Sequence, residues 1–262
     1  MGEHLVNILV IADIIGKPGL NVVKKYLESI KKKYDIDFCI ANGENGAGGK
    51  GLTEIIAHEY FDIGINAITS GNHIFDKNKI FKFLNENRRI LRPINYPPAN
   101  HGHGSLIATI SDEIKIGVIN AQGRTFMYPI DCPFRTISEE INQISQVTPI
   151  IIVDFHAEAS AEKVAMGWYL NGKVSAVIGT HTHVQTADER ILNKGTAYIT
   201  DVGMTGPYDS VIGLNKEIAI KRFLNQVPLR YQVAEADPHL CGVVIRIEIK
   251  SGKAVSIERL FY

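Results

Sequence analysis

Five short apolar runs rich in β-branched residues recur along the chain, at residues 8–11, 38–41, 67–69, 150–153 and 176–178. Their length and lack of alternation predict strands buried on both faces, as in a parallel sheet. Helical spacing appears between them. Val22, Val23, Tyr26, Leu27 and Ile30 form one stripe, with Pro18 ahead and Lys31, Lys32 and Lys33 at the far end, where cations complement the helix dipole. A second helix is expected from Thr53. A third after Asp76 would carry Ile80, Phe83 and Leu84, followed by a loop through Pro93, Pro97 and Pro98. Further helices are predicted over about 137–147 and 161–170.

Two strands, 105–110 and 114–120, flank Ser111-Asp112-Glu113 and read as a hairpin. Near the C terminus, Val243, Ile245, Ile247 and Ile249 alternate with Arg246, Glu248 and Lys250, which predicts a strand with one face less buried than the other. A turn at Ser251-Gly252 and a last strand through Val255 and Ile257 follow. Parallel βαβ units succeeded by antiparallel hairpins predict a sandwich of two mixed sheets flanked by helices. No repeat, low-complexity tract or linker interrupts the pattern, so one domain over 1–262 is expected.

Hydrophobic residues make up 45% of the 262 and charged residues 21%, the balance of an ordinary globular chain. No apolar run approaches the roughly 18 residues of a membrane helix. The run 5–12 has no basic region before it and ends at Asp13, so a first core strand is expected there, not a signal peptide or anchor. Three scattered cysteines argue against a disulfide framework and favour a reducing cytoplasm. Twenty-eight basic residues balance twenty-eight acidic ones, which leaves no global field for a long nucleic acid. Small anionic ligands, or short ends and loops of RNA, remain compatible.

Polar clusters follow the apolar runs: Asp13, Gly43-Glu44-Asn45, Gly71-Asn72-His73, His156, and Gly179-Thr180-His181-Thr182-His183. Ligands in such sheets gather beyond the carboxyl ends of the strands, so these clusters are expected to converge on one rim as a two-metal phosphoesterase site. His181 and His183, two apart on an extended segment, would face the same side. Asp13 and Glu44 add anionic oxygen able to offset and bridge two divalent ions some ~3.5–4 Å apart. Asn45 and Asn72 offer neutral carbonyl oxygen, although asparagine also serves in turns. Asp13 could instead cap a helix, and Glu44 could be a loop charge.

Gly46-Ala47-Gly48-Gly49-Lys50-Gly51 matches G-x-G-x-x-G between a predicted strand and a predicted helix. The match to a phosphate cradle is weak, because it follows the second strand and Glu44 would repel a pyrophosphate; a flexible rim loop is expected. His4, His58 and His239 suit surface or packing roles, and His101 and His103 a solvated Pro/Gly loop, with a substrate-facing lid as the alternative.

In their order, these clusters resemble those of the calcineurin-type metallophosphoesterases, and more closely the bacterial YmdB-like branch, over essentially the whole chain. The superfamily's first two motifs, Asp-x-His and Gly-Asp, here read Asp13-Ile14-Ile15 and Gly43-Glu44-Asn45. The YmdB-like branch shares this departure, with the asparagine after the glutamate filling the gap. Gly71-Asn72-His73 with Asp76, the segment 154–158, and the segment 179–186 also match. The resemblance implies a four-layer α/β/β/α sandwich, a di-metal centre of iron or manganese, and phosphodiesterase activity on cyclic nucleotides such as 2′,3′-cAMP. It also implies a homo-oligomer. Asp13, Glu44, Asn45 and His183 would hold one metal, and Glu44, Asn72, His156 and His181 the other. His73, with no metal assigned, is left as general acid. A nucleotide- or RNA-binding regulator on the same fold, with little turnover, is the alternative.

Overall fold

The computed structural model describes residues 5–111 and 114–262; His4, Asp112 and Glu113 lie outside the described residues. The chain begins with β1 (Leu5–Ile11), β2 (Asp13–Ile14), α1 (Gly16–Tyr34), β3 (Phe38–Asn42), α2 (Glu54–Asp62) and β4 (Ala67–Thr69). A 3-10 turn at Asn78–Ile80 leads into α3 (Phe81–Glu86). Next come β5 (Ser105–Ser111), β6 (Ile114–Gln122), α4 (Pro133–Ile144), β7 (Ile151–His156), α5 (Ser160–Leu170) and β8 (Ala176–Thr180). The last third holds β9 (Arg190–Ile191), β10 (Ala197–Ile199), β11 (Met204–Pro207), α6 (Lys216–Asn225), β12 (Pro238–His239), β13 (Cys241–Glu248) and β14 (Ala254–Phe261).

One sheet has the order β14-β13-β1-β3-β4 and a second β5-β6-β7-β8-β10-β9, with a small β12-β11-β2 sheet beside them. Both large sheets are mixed. Strands β1, β3 and β4 run parallel, as do β6, β7, β8 and β10, while β13, β14, β5 and β9 join antiparallel. The period of two sorts the side chains into layers. Ile8 and Val10 of β1 share a central core with Ile116 and Val118 of β6 and Ile152 of β7. Leu9 and Ile11 face the other way, toward Val23, Leu27 and Ile30 of α1. In β7, Ile151 and Val153 turn outward onto Ile137, Ile141 and Ile144 of α4. The result is the helix–sheet–sheet–helix sandwich, with each fully buried aliphatic side chain contributing roughly 1.5–3 kcal/mol.

Several elements depart from the sequence expectation. The predicted 137–147 helix starts earlier, at Pro133, whose fixed φ suits a first turn, and ends at Ile144. The alternating C-terminal strand stops at Glu248, and Val244 on its polar face is buried. β13 lies inside its sheet, between β14 and β1, so the helical layer covers Val244 and leaves only Arg246 exposed. The short strands β2, β9, β11 and β12 and helix α6 carry no periodicity long enough to mark them in advance. Among the described residues, no helix is long and apolar enough to cross a membrane.

Candidate metal centre

The carboxyl ends of the parallel strands of both large sheets meet at one rim. Side chains stitch the two sheets together there: Thr69 at the end of β4 donates to Asp154 Oδ2 in β7 at 2.5 Å, and Asn42 of β3 lies 3.4 Å from His156 Nδ1. Gly71 allows a closer approach than any side chain would permit. A Cβ at this position would sit 2.0 Å from His156 Cδ2, so the turn carrying Asn72 can lie flat on the imidazole only as glycine.

The hydrogen bonds made by each histidine's outer nitrogen decide what the inner one presents. His156 Nδ1 is 3.0 Å from Thr180 Oγ1, and that hydroxyl gives its own hydrogen to Asp154 Oδ1 at 2.7 Å. Thr180 therefore accepts, the ring proton sits on Nδ1, and Nε2 carries a lone pair. His181 Nε2 points at Glu158 Oε2, 3.1 Å away, leaving Nδ1 to face inward. His156 Nε2 then has His181 Nδ1 at 3.0 Å, Glu44 Oε1 at 3.0 Å and Asn72 Oδ1 at 3.1 Å. Burial works against a charge on His156, and the Glu44 carboxylate more than offsets this, raising its pKa. One extra proton on Nε2 would serve only one of the three neighbours; a cation at their centre would serve all. Ligand atoms of Glu44, His156 and His181 lie within 4.8 Å of one another.

Asp13, Asn45 and His183 form the adjoining half. His183 Nδ1 donates to the Ile212 carbonyl at 2.9 Å, so Nε2 faces Asp13 Oδ1 at 3.6 Å and the Asn45 amide at 3.4 Å. The same amide is 3.4 Å from Asp13 Oδ1, and turned end for end it would present its oxygen to a cation. Asp13 is in β2 and caps no helix; residue Ile15 occupies the N-cap of α1. Burial raises the Asp13 pKa, and the bond and charge of His183 more than reverse this. Burial likewise opposes ionisation of Glu44, yet the neighbouring His156 and His73 hold its carboxyl at about 2. Burial and the His156 charge drive His181 down to about 3, keeping it the neutral imidazole that binds metals. Two ionised carboxylates, three imidazoles and two carboxamides in one buried cluster suit a pair of hard-to-borderline cations.

The expectation that His181 and His183 lie on an extended segment is corrected. β8 ends at Thr180, and both histidines adopt left-handed backbone, with φ of 104° and 63°. They still reach the same centre, through a strained turn and not through strand alternation. His73 stands at its mouth, one quarter exposed; its N–H donates to Glu44 Oε2 at 2.9 Å and its Nδ1 lies 2.9 Å from Asp76 Oδ2. A cavity of about 270 Å³ opens there, lined by Glu44, His73, Glu158, His183, Lys50 and Tyr231. The glycine-rich segment forms part of this rim without cradling an anion. The N–H groups of Gly46, Ala47, Gly48 and Gly49 are spent on the carbonyls of Gly43, Gly51, Gly46 and Asn45.

The other histidines among the described residues pack elsewhere. His58 rests near Phe83, His101 stacks on Phe81 beside Asn85, His103 bridges Leu91, and His239 contacts Asp237 and Tyr262. Sequence reasoning gives no role to Asp154, Thr180 or Glu158: Asp154 and Glu158 flank His156 in the chain and Thr180 precedes His181, but Thr180 orients His156 and Glu158 orients His181 only across the fold. The Ile212 carbonyl had no signal to find, being a main-chain atom.

Matches to known proteins cover the whole of this architecture. A chain from Bacillus subtilis (strain 168), named 2′,3′-cyclic-nucleotide 2′-phosphodiesterase, is 52% identical over 253 residues, covering 97% of this chain and 96% of its own. The crystal structure of a hypothetical protein from Thermus thermophilus superposes with a TM-score of 0.91 at 36% identity, covering 98% and 99% of the two chains. That of a novel phosphatase from Mycoplasma pneumoniae gives 0.93 at 34%, covering 100% and 94%. With the model of the YmdB-like proteins matching residues 9–260 and the metallophosphoesterase sandwich shared from end to end, the chain belongs to the YmdB-like family.

Proposed function

We propose that this chain is a two-metal phosphodiesterase that hydrolyses 2′,3′-cyclic nucleotides or related small phosphodiesters. One observation carries the reading: two imidazole lone pairs, a carboxylate oxygen and a carboxamide oxygen converge with at most one proton to share among them. Asp13, Asn45, His183 and Glu44 would hold one ion, and Glu44, Asn72, His156 and His181 the other, with iron or manganese suited to this nitrogen and oxygen set. When bound, such a pair supplies an acidified water for in-line attack on phosphorus and offsets the charge of the nonbridging oxygens. The activity named for the Bacillus subtilis relative supports the substrate class.

In this reading His73 protonates the ribose oxygen as its bond to phosphorus breaks. Asp76 engages Nδ1, which leaves Nε2 as the nitrogen able to hand over a proton. Partial exposure at the cavity mouth lets solvent restore that proton after each turnover. Glu158 and the Ile212 carbonyl keep His181 and His183 in the tautomers that turn lone pairs inward.

Metal analysis of anaerobically purified, metal-replete protein tests the reading. Two ions per chain are expected. Glu44→Gln should weaken both sites, because its carboxylate is the one group this reading assigns to both ions; His156→Ala should chiefly empty one, because an imidazole is assigned to one ion alone. One ion or none per parent chain would overturn the two-metal assignment.

A further inference from the structure

The proposed chemistry leaves one buried ion pair unused. Lys163 of α5 and Asp201, just past β10, lie 2.6 Å apart, each with only 1% of its side chain exposed. Burying two opposite charges is costly unless further hydrogen bonds satisfy them. Here those bonds go to the turn that carries the two histidines. Asp201 Oδ2 also accepts from the Thr182 main-chain N–H at 3.1 Å and from Thr182 Oγ1 at 2.8 Å, while Oδ1 accepts from the Gly203 N–H at 2.8 Å.

Thr182 stands between His181 and His183, the two residues in left-handed backbone. A side chain with a Cβ resists that conformation, so the turn persists only where its surroundings over-determine it. Gly179 makes the approach possible. A Cβ there would sit 1.7 Å from the Thr200 carbonyl oxygen; without one, the end of β8 closes onto the exit of β10, and the Val202 N–H bonds Gly179 O at 2.9 Å. That closure sets Asp201 directly beneath Thr182.

From these contacts we infer that Asp201 is a positioning residue, which, held by Lys163, pins Thr182 so that the strained turn aims His181 into one half of the centre and His183 into the other. The inference rests on the two-metal reading above. Its consequence is specific: loosening this clamp disturbs both halves together, since one anchor lies between the two imidazoles. Loosening the Asp154–Thr180 contact would reach His156 alone.

The test is titration of metal-free protein with Mn²⁺, followed by electron paramagnetic resonance, at a temperature where circular dichroism shows every variant folded. Thr182→Val removes the hydroxyl donor at equal size and leaves the Lys163–Asp201 pair intact. Affinity at both sites should fall by about 10–100-fold, the usual effect of removing a group that orients metal ligands, and Thr182→Ser should restore most of it. Asp201→Asn should do the same or more where it folds; should the uncompensated Lys163 prevent folding, the Thr182 variants still decide. Thr182→Val binding both ions as tightly as the parent, or losing only one site, would overturn the inference. If the parent itself fails to bind two ions, the two-metal reading falls and takes this inference with it.

Discussion

Replacing Gly71 with alanine adds one methyl group at the tightest approach in the centre. The new Cβ would lie 2.0 Å from His156 Cδ2, 2.2 Å from Nε2 and 2.4 Å from Cγ, whereas ordinary contact begins at 3.4 Å. The imidazole or the turn must therefore retreat by about 1.4 Å. His156 has no room to give: its far side is bonded to Thr180, and the ring is fully buried. If the turn moves instead, it carries Asn72 Oδ1 away from its place 3.1 Å from Nε2. Metal-ligand distances tolerate about 0.2 Å, so either displacement exceeds the limit several-fold. Overpacking of this kind costs about 1–3 kcal/mol, within the 5–15 kcal/mol by which a typical domain is stable. Gly71→Ala should thus fold, melt a few degrees lower, and lose about 10–100-fold in affinity at the site built on His156. Calorimetric titration with Mn²⁺, alongside thermal unfolding and hydrolysis of 2′,3′-cAMP, reads each part. A folded variant that binds both ions within a few-fold of the parent would refute the argument from close approach.

The acid role of His73 gives a leaving-group signature. His73→Ala should lose roughly 10²–10⁴-fold in turnover on 2′,3′-cAMP, whose ribose alkoxide needs a proton, and far less on bis-p-nitrophenyl phosphate, with metal content retained; equal losses on both substrates would assign His73 to positioning. The three cysteines should separate by reactivity. Burial pushes Cys39 up to about 12 and Cys241 up to about 11, whereas at the start of α4 the N–H groups of Arg135 and Phe134 outweigh burial and lower the pKa of half-exposed Cys132. Ellman's reagent should therefore find one fast thiol in the native protein and three in urea, and fast labelling of Cys39 or Cys241 in the folded state would contradict this.

Much of the cluster is legible in the sequence, because its residues follow apolar runs whose composition marks them as strands. Asp13, Glu44, Asn72 and His156 each come within three residues of such a run, parallel pairing within each sheet sends them to its carboxyl end, and the packing of the two sheets joins those ends. The alternation that splits β1 and β7 between two cores is likewise a property of local sequence, since period two is intrinsic to extended backbone. The reach of His181 and His183 was anticipated for the wrong reason. Two-residue spacing implies a shared face only on a strand, and the strand had already ended. Their direction is set by Asp201 and the Ile212 carbonyl, brought near by the closure of β8 on β10 and by a distant loop. The tautomer of His156 depends on Thr180 and Asp154, and the burial of Val244 on the strands and helix around β13. Asn45 meets His183 across 138 residues of chain. Periodicity and composition determine which segments extend or coil and which face is apolar, because those are energies of near neighbours. Which nitrogen turns inward, and which main-chain carbonyl holds it there, depends on contacts between segments far apart in sequence, and only the packed tertiary structure brings those together.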